Sequence, residues 1–268
     1  MLPSEVSGPV QAYIEALRGD LGHQLAGVYA VGSLALADFS HRQSNVDLVL
    51  VTDPPLGLAR IEPLRRHEKR MARGGRRAEV WYTTWAEIAD GPPDGPHDGP
   101  DGGRAGTERP AAALATPMTW AILRNDPLAI IGPDWPVVWS DPEALRAWSR
   151  RRLREVVDAA HGLLVMRHDI SPLVLEVARL AQIALGGKVL SKSEAGETLV
   201  GVVAKHYRRI LTDSVGYRQG AQFSMYWGPF ERKYDALALL RDVAELAGAG
   251  TAPGPGTGTG PGSGPGAG

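Results

Sequence analysis

The sequence predicts an α+β protein, with a small mixed sheet and helices in its N-terminal part and a helical bundle in its C-terminal part. Three observations carry this expectation. Short β-branched runs bounded by turn residues fall before position 90. A Gly/Pro-rich stretch, 91–115, then interrupts the chain. Beyond it, apolar residues recur at helical spacing as far as position 247. The expected organisation is a sheet-bearing domain over 1–90, a surface loop over 91–115, a helical domain over 116–247 and a disordered tail over 248–268.

In chain order, Val10 to Leu21 reads as a helix. GVYAV (Gly27 to Val31) and VDLVLV (Val46 to Val51) read as strands, with a helix from about Leu58 to Arg73 after them. AEVWYTT (Ala78 to Thr84) alternates, which puts Glu79, Trp81 and Thr83 on one face and Val80 and Tyr82 on the other. The loop GPPDGPHDGPDGGRAGTERP and the Gly/Pro tail hold too little apolar surface to offset the entropy of ordering. Later, three apolar stripes predict four or five helices: Leu145 to Leu164, Leu173 to Ala184, and Tyr234, Leu237, Leu240, Val243 and Leu246. Gly186-Gly187 closes one helix, and Ser191 or Ser193 caps the next.

The 268 residues are 43% hydrophobic and 22% charged, as in a globular protein, with a formal net charge of −1. That charge gives no overall field for nucleic acid or an anionic membrane. No cysteine is present, which excludes thiolate metal sites and cysteine nucleophiles. The start, MLPSEVSGPVQ, lacks a basic-then-apolar leader, so a cytoplasmic protein is expected, and a monomer. The basic runs Arg65 to Arg77 and Arg150 to Arg154 have no interleaved aromatics and read as solvated helix faces. Five tryptophans (Trp81, Trp85, Trp120, Trp135 and Trp139) read as packing residues.

Chemistry concentrates in GVYAVGSLALADFSHRQSNVDLVLV, Gly27 to Val51. A strand runs into Gly32-Ser33, then a helix is expected over Leu34 to Ala37, then a turn leads to a strand headed by Asn45 and Asp47. Residues i and i+2 of a strand share a face. A glycine at a strand-to-helix turn lets backbone approach a phosphate, and a helix N-terminus offers free N–H groups. Oxygen ligands beside such a cradle suit Mg²⁺, which keeps substrate phosphates in its shell. Together these are the parts of a metal-assisted nucleotidyl transfer.

Gly32-Ser33, followed about a dozen residues later by Asn45-x-Asp47 heading an apolar strand, resembles the Gly-Ser and Asp-x-Asp signature of the polymerase-beta-like nucleotidyltransferase superfamily. GSLALADF and SNVDLVLV resemble the streptomycin/spectinomycin adenylyltransferases of that superfamily. GGKVLSKSEAGETL, Gly186 to Leu199, is similar to the family's helical segment around an ATP-contacting lysine. The resemblance covers about residues 8–247. It implies that residues 1–90 form a nucleotidyltransferase domain, with ATP and Mg²⁺ as cofactors and a small aminoglycoside-like acceptor. It implies that Gly32, Ser33 and Ser44 hold phosphates, that Asp47 and Asn45 hold metal, and that Lys192 and Tyr217 clamp ATP. It implies a general-base carboxylate, for which Glu79 matches, and an acceptor contact at Asp169. An antiparallel neighbour strand would set Glu79 beside Asp47; Glu87 lies past that strand.

The chain departs from the family pattern at Asn45, where the family has aspartate. An amide oxygen ligates Mg²⁺ without charge, so a slow enzyme, a one-metal enzyme or a catalytically impaired nucleotide-binding protein are all consistent with it. Trp148 is the nearest match for an acceptor-side tryptophan and is equally a core position. Glu79, Asp169 and Glu176 are the candidates for an acidic cleft. An acceptor of another class, such as a protein side chain, is a further alternative; the near-neutral charge argues against tRNA.

Overall fold

The computed structural model describes residues 2–71, 77–91, 114–162 and 166–249. The chain opens with helix α1 (Ser4–Leu21), which buries Val6, Val10, Tyr13, Ile14 and Leu17 at helical spacing. Strand β1 (Leu25–Ala30) leads through a turn to β2 (Val46–Thr52), and the two pair antiparallel. Helix α2 (Leu58–Met71) carries the chain over to β3 (Ala78–Thr83). β3 pairs with β2 in parallel, not antiparallel as expected. The reason is the helix itself: a helical crossover returns the next strand in the same direction. The expected neighbour relation survives the change, because the register sets Asp47 opposite Glu79.

Two short helices, α3 (Trp85–Asp90) and α4 (Pro117–Asn125), flank the Gly/Pro-rich loop. A fourth strand follows, β4 (Leu128–Ile131), inside the stretch expected to be all helical. It pairs antiparallel with β1 and completes a sheet of order β3-β2-β1-β4. Four half-buried residues between Pro127 and Gly132 are too few to show a strand period.

The rest is helical: α5 (Pro142–Ala159), α6 (Arg167–Gly186), α7 (Lys192–Val200), α8 (Arg208–Arg218) and α9 (Pro229–Leu246). α6 is the central element, touching α5, α7, α8 and α9. Gly187 closes α6 in the left-handed region, φ 69°, and the Ser191 hydroxyl caps α7 by accepting from Glu194 N–H at 3.1 Å. Tyr234 and Leu246, expected on the buried stripe of α9, instead face outward at 75% and 51% exposure. Leu240 and Val243 are buried. Leu163 and Leu164, the loop from 92 to 113 and the tail from 250 lie outside the described residues.

The sheet has two apolar faces. Val28, Ala30, Leu48, Leu50 and Tyr82 pack on α1 and α2. Tyr29, Val31, Val49, Val51 and Trp81 pack on the helical half. The alternation of β1, β2 and β3 is therefore read out on both sides. Trp81 and Trp120 meet at a 53° tilt with 4.6 Å between centroids, and Trp120 and Trp139 meet edge-on at 6.3 Å, within this second layer. Trp135 does not join them; it is 70% exposed. Trp148 is a core residue. No described helix is long and apolar enough to cross a membrane.

Candidate active site

Asp47 shares its strand face with Val49 and Val51, which lie against the helical half. Its carboxylate is therefore delivered to the junction of the two layers, where β1 ends and β2 begins. The connecting turn starts at Gly32, whose φ of 60° needs a glycine. A Cβ there would stand 2.6 Å from Asp47 Oδ2, so the glycine is also required by the carboxylate's close approach. The expected helix over Leu34 to Ala37 does not form. Residues 32–37 are successive turns, with a second positive φ at Ala37 (52°), so no array of free helix N–H groups is presented. The turn is closed instead by Leu36 N–H donating to Gly32 C=O and Asp38 N–H to Ser33 C=O.

A cavity opens at this junction. Gly32, Ser33, Ser44, Asn45 and Asp47 line it from the sheet side, and Lys192 lines it from the start of α7. Sequence reasoning missed two further cations in its wall, Arg179 of α6 and Arg218 of α8. Met118 and Ile122 of α4 give it an apolar side. Among the described lining residues, three cations thus face two carboxylates, Asp38 and Asp47, which suits a polyanion bound with a cation.

Two buried atoms in that wall have no partner: Asp47 Oδ1, an acceptor, and Arg179 Nε, a donor. A ligand that donates to or ligates the carboxylate and accepts from the guanidinium would satisfy both. Burial and the neighbouring Glu79 push the Asp47 carboxyl up to about 7, against the pull of Arg179 and Lys192. A bound cation would reverse that shift and restore the carboxylate. Asn45 turns its amide to Glu79, Nδ2 donating to Oε1 at 3.3 Å, which leaves the amide oxygen as a neutral ligand. The donor set fits one Mg²⁺ completed by phosphate oxygens. Among the described residues no cluster of three His, Cys, Asp or Glu side chains could hold a metal alone.

Glu176 does not contribute free acidity. Burial raises its pKa, but Arg179 (2.6 Å) and Lys192 (3.0 Å) outweigh burial and hold the carboxyl down to about 2. Its role is to aim those two cations. Ser44 Oγ accepts from Ser40 N–H at 2.9 Å and from Arg218 Nη2 at 3.3 Å, so its own proton is left to donate into the cavity.

The tertiary structure resembles that of spectinomycin adenyltransferase from Enterococcus faecialis, solved with ATP and spectinomycin, at a TM-score of 0.63 and 16% identity. The match covers 90% of this chain and 98% of that one. The chain has an aminoglycoside-adenylyltransferase-like fold. No protein-family model and no curated protein matches the sequence.

Three sequence-predicted site residues, Tyr217, Asp169 and Glu79, lie off the cavity wall of this adenylyltransferase-like fold. The Tyr217 ring sits under Arg167 at 5.0 Å, and its carbonyl accepts from Gln43 Nε2 at 2.9 Å. Its neighbour Arg218 is the one that reaches the cavity. Asp169 stands in the first turn of α6, 3.5 Å from His168, with Oδ2 buried and unpartnered. Glu79 is beside Asp47 in register but is not in the described wall. Glu87, the lower-ranked carboxylate, forms a capping box with Thr84 at the start of α3. An Arg three residues after Glu176 and an Arg after Tyr217 carry no local signal of a phosphate site; only the fold brings them together.

Proposed function

We propose that this protein transfers AMP from Mg-ATP to a hydroxyl of a small aminoglycoside-like acceptor, releasing pyrophosphate. The observation that carries this is the pairing of Asp47 Oδ1 and Arg179 Nε as unpartnered buried atoms in one cavity walled by Lys192 and Arg218. The adenylyltransferase-like fold supports it. Lys192 and Arg179, aimed by Glu176, hold the phosphates, and Ser33 and Ser44 donate to them from the turn. Asp47, with the Asn45 amide oxygen, would hold Mg²⁺. Bound there, the ion would polarise the α-phosphate and neutralise charge on the departing pyrophosphate. Glu79 accepts the acceptor's hydroxyl proton as the new O–P bond forms in line with the one that breaks. Tyr217 supports the nucleotide site through Gln43 rather than through its ring. Asp169, whose buried Oδ2 has no partner, is the carboxylate proposed to meet an acceptor amine. A soluble, cytoplasmic monomer that binds no nucleic acid accords with this chemistry.

Incubation with ATP, Mg²⁺ and streptomycin or spectinomycin, followed by mass spectrometry, should reveal an AMP adduct. The absence of an adduct across an aminoglycoside panel would remove this acceptor class.

One observation favours a second function, that of a nucleotide-binding protein with impaired catalysis. Asn45 replaces an acidic position and its amide occupies Glu79, the proposed base. The Asn45→Asp variant separates the two. If transfer appears only after that change, the natural protein is a binder; if the unaltered chain turns over, it is an enzyme. A carboxylate there would add a charged metal ligand, and a rise in rate of roughly a hundredfold is expected.

A further inference from the structure

Asp38 lines the cavity, and four hydrogen bonds from the opposite layer converge on it. Its Oδ1 accepts from Ser193 Oγ at 2.7 Å, and its Oδ2 accepts from Ser193 N–H at 3.3 Å and from Arg218 Nε at 2.7 Å. Its backbone carbonyl accepts from Arg218 Nη2 at 2.5 Å. Both side chains are largely enclosed, Arg218 at 6% exposure and Asp38 at 14%, where charge-assisted bonds are strong and little screened.

The contacts sit at a specific place. Asp38 ends the turn that begins at Gly32 and carries Ser33. Ser193 directly follows Lys192, the first residue of α7. Arg218 goes on to Ser44 Oγ, at the far end of the same connection. One carboxylate therefore links both ends of the β1–β2 connection to the helix start that supplies a cavity cation. Within the turn only the Leu36 and Asp38 N–H bonds close the backbone, and Ala37 is held at a positive φ that an alanine adopts only when its surroundings enforce it.

We propose that Asp38 is a positioning residue for nucleotide binding: through Ser193 and Arg218 it fixes the spacing between the hydroxyls of the β1–β2 connection and Lys192, so that both halves of the phosphate cradle stand ready before ATP arrives. This rests on the proposed ATP site. Preorganisation of this kind lowers the ordering cost that binding must otherwise meet. Its signature is a loss of nucleotide affinity that exceeds any loss of fold.

The test is calorimetric titration of ATP with Mg²⁺ into the full chain, paired with thermal unfolding of each variant without ligand. Asp38→Asn keeps shape and removes the charge; ATP affinity should fall about tenfold. The double variant with Arg218→Gln should bind no more weakly than the weaker single variant, because both changes break one link. Ser193→Ala keeps the ion pair and removes one leg, with about a threefold loss expected. It carries the test should Asp38→Asn not fold. ATP affinity equal to the unaltered protein's in the variants, with or without a lower Tm, would overturn the inference and show a merely structural contact. An unaltered protein that binds no ATP would instead overturn the nucleotide site itself, and the positioning role of Asp38 with it.

Discussion

At Gly32 two constraints coincide. The backbone is left-handed, and the space a Cβ would occupy belongs to the Asp47 carboxylate 2.6 Å away. Gly32→Ala must therefore either twist the turn or displace Asp47. Transfer activity should drop by at least about a hundredfold while the far-ultraviolet circular dichroism spectrum stays unchanged. Asp47 itself stores a measurable cost. Burial and Glu79 push its carboxyl up to about 7, above the ordinary range of an unfolded aspartate. Between the two values the folded form holds the proton and the unfolded form does not, so this group favours folding at low pH and loses that contribution as pH rises through about 7. The ligand-free protein should lose stability through this group from about pH 4 to about pH 7, and Asp47→Asn should flatten the dependence. Glu176 acts in a separate window with the opposite sign. Its pKa is lowered to about 2, so its stabilisation is present above the unfolded value and is lost as pH falls toward about 2. Thermal unfolding across pH, without metal or nucleotide, checks both.

At the scale of elements, α7 is a short helix whose placement determines where Lys192 stands. Its first turn is tied down twice, by the Ser191 cap to Glu194 N–H and by the Asp38 bond to Ser193 N–H. Ser191→Ala should cost about 1 kcal/mol, read by chemical denaturation. α7 also packs unusually close to its neighbours at Gly196, where a Cβ would meet Leu175 at 2.7 Å and Val215 at 2.8 Å. Gly196→Ala forces α6 and α8 apart and should destabilise by about 1–3 kcal/mol. A second device lies in the middle of α8. The Asp213 side chain, fully buried, accepts from Arg167 (3.2 Å), Ser224 Oγ (3.0 Å) and Met225 N–H (2.8 Å). It thereby pins the α8–α9 connection, from which Phe223 and Trp227 project into solvent.

At the scale of the molecule, the cavity draws its wall from both layers, so a ligand there joins them. ATP with Mg²⁺ should raise Tm in proportion to the logarithm of its concentration, by about 2.7 kcal/mol of stability at a hundredfold excess over Kd. A Tm that does not respond to ATP would exclude the site. Much of this arrangement was legible beforehand. The apolar run Val46 to Val51 and the alternation of Ala78 to Thr84 mark two strands and the pair of faces of the second, and Gly32, Ser33, Asn45 and Asp47 follow from one continuous segment. The sequence also determined the helix ends at Gly187 and Ser191, because capping is local chemistry. What it could not determine was the strand direction of β3, the short strand β4, and the arrival of Arg179 and Arg218 at the cavity. Asp38 and Arg218 are 180 residues apart, and the meaning of each depends on the other. Periodicity and turn chemistry act over a few residues. Which cations face a carboxylate is decided only when two layers close on each other and shut out the water between them.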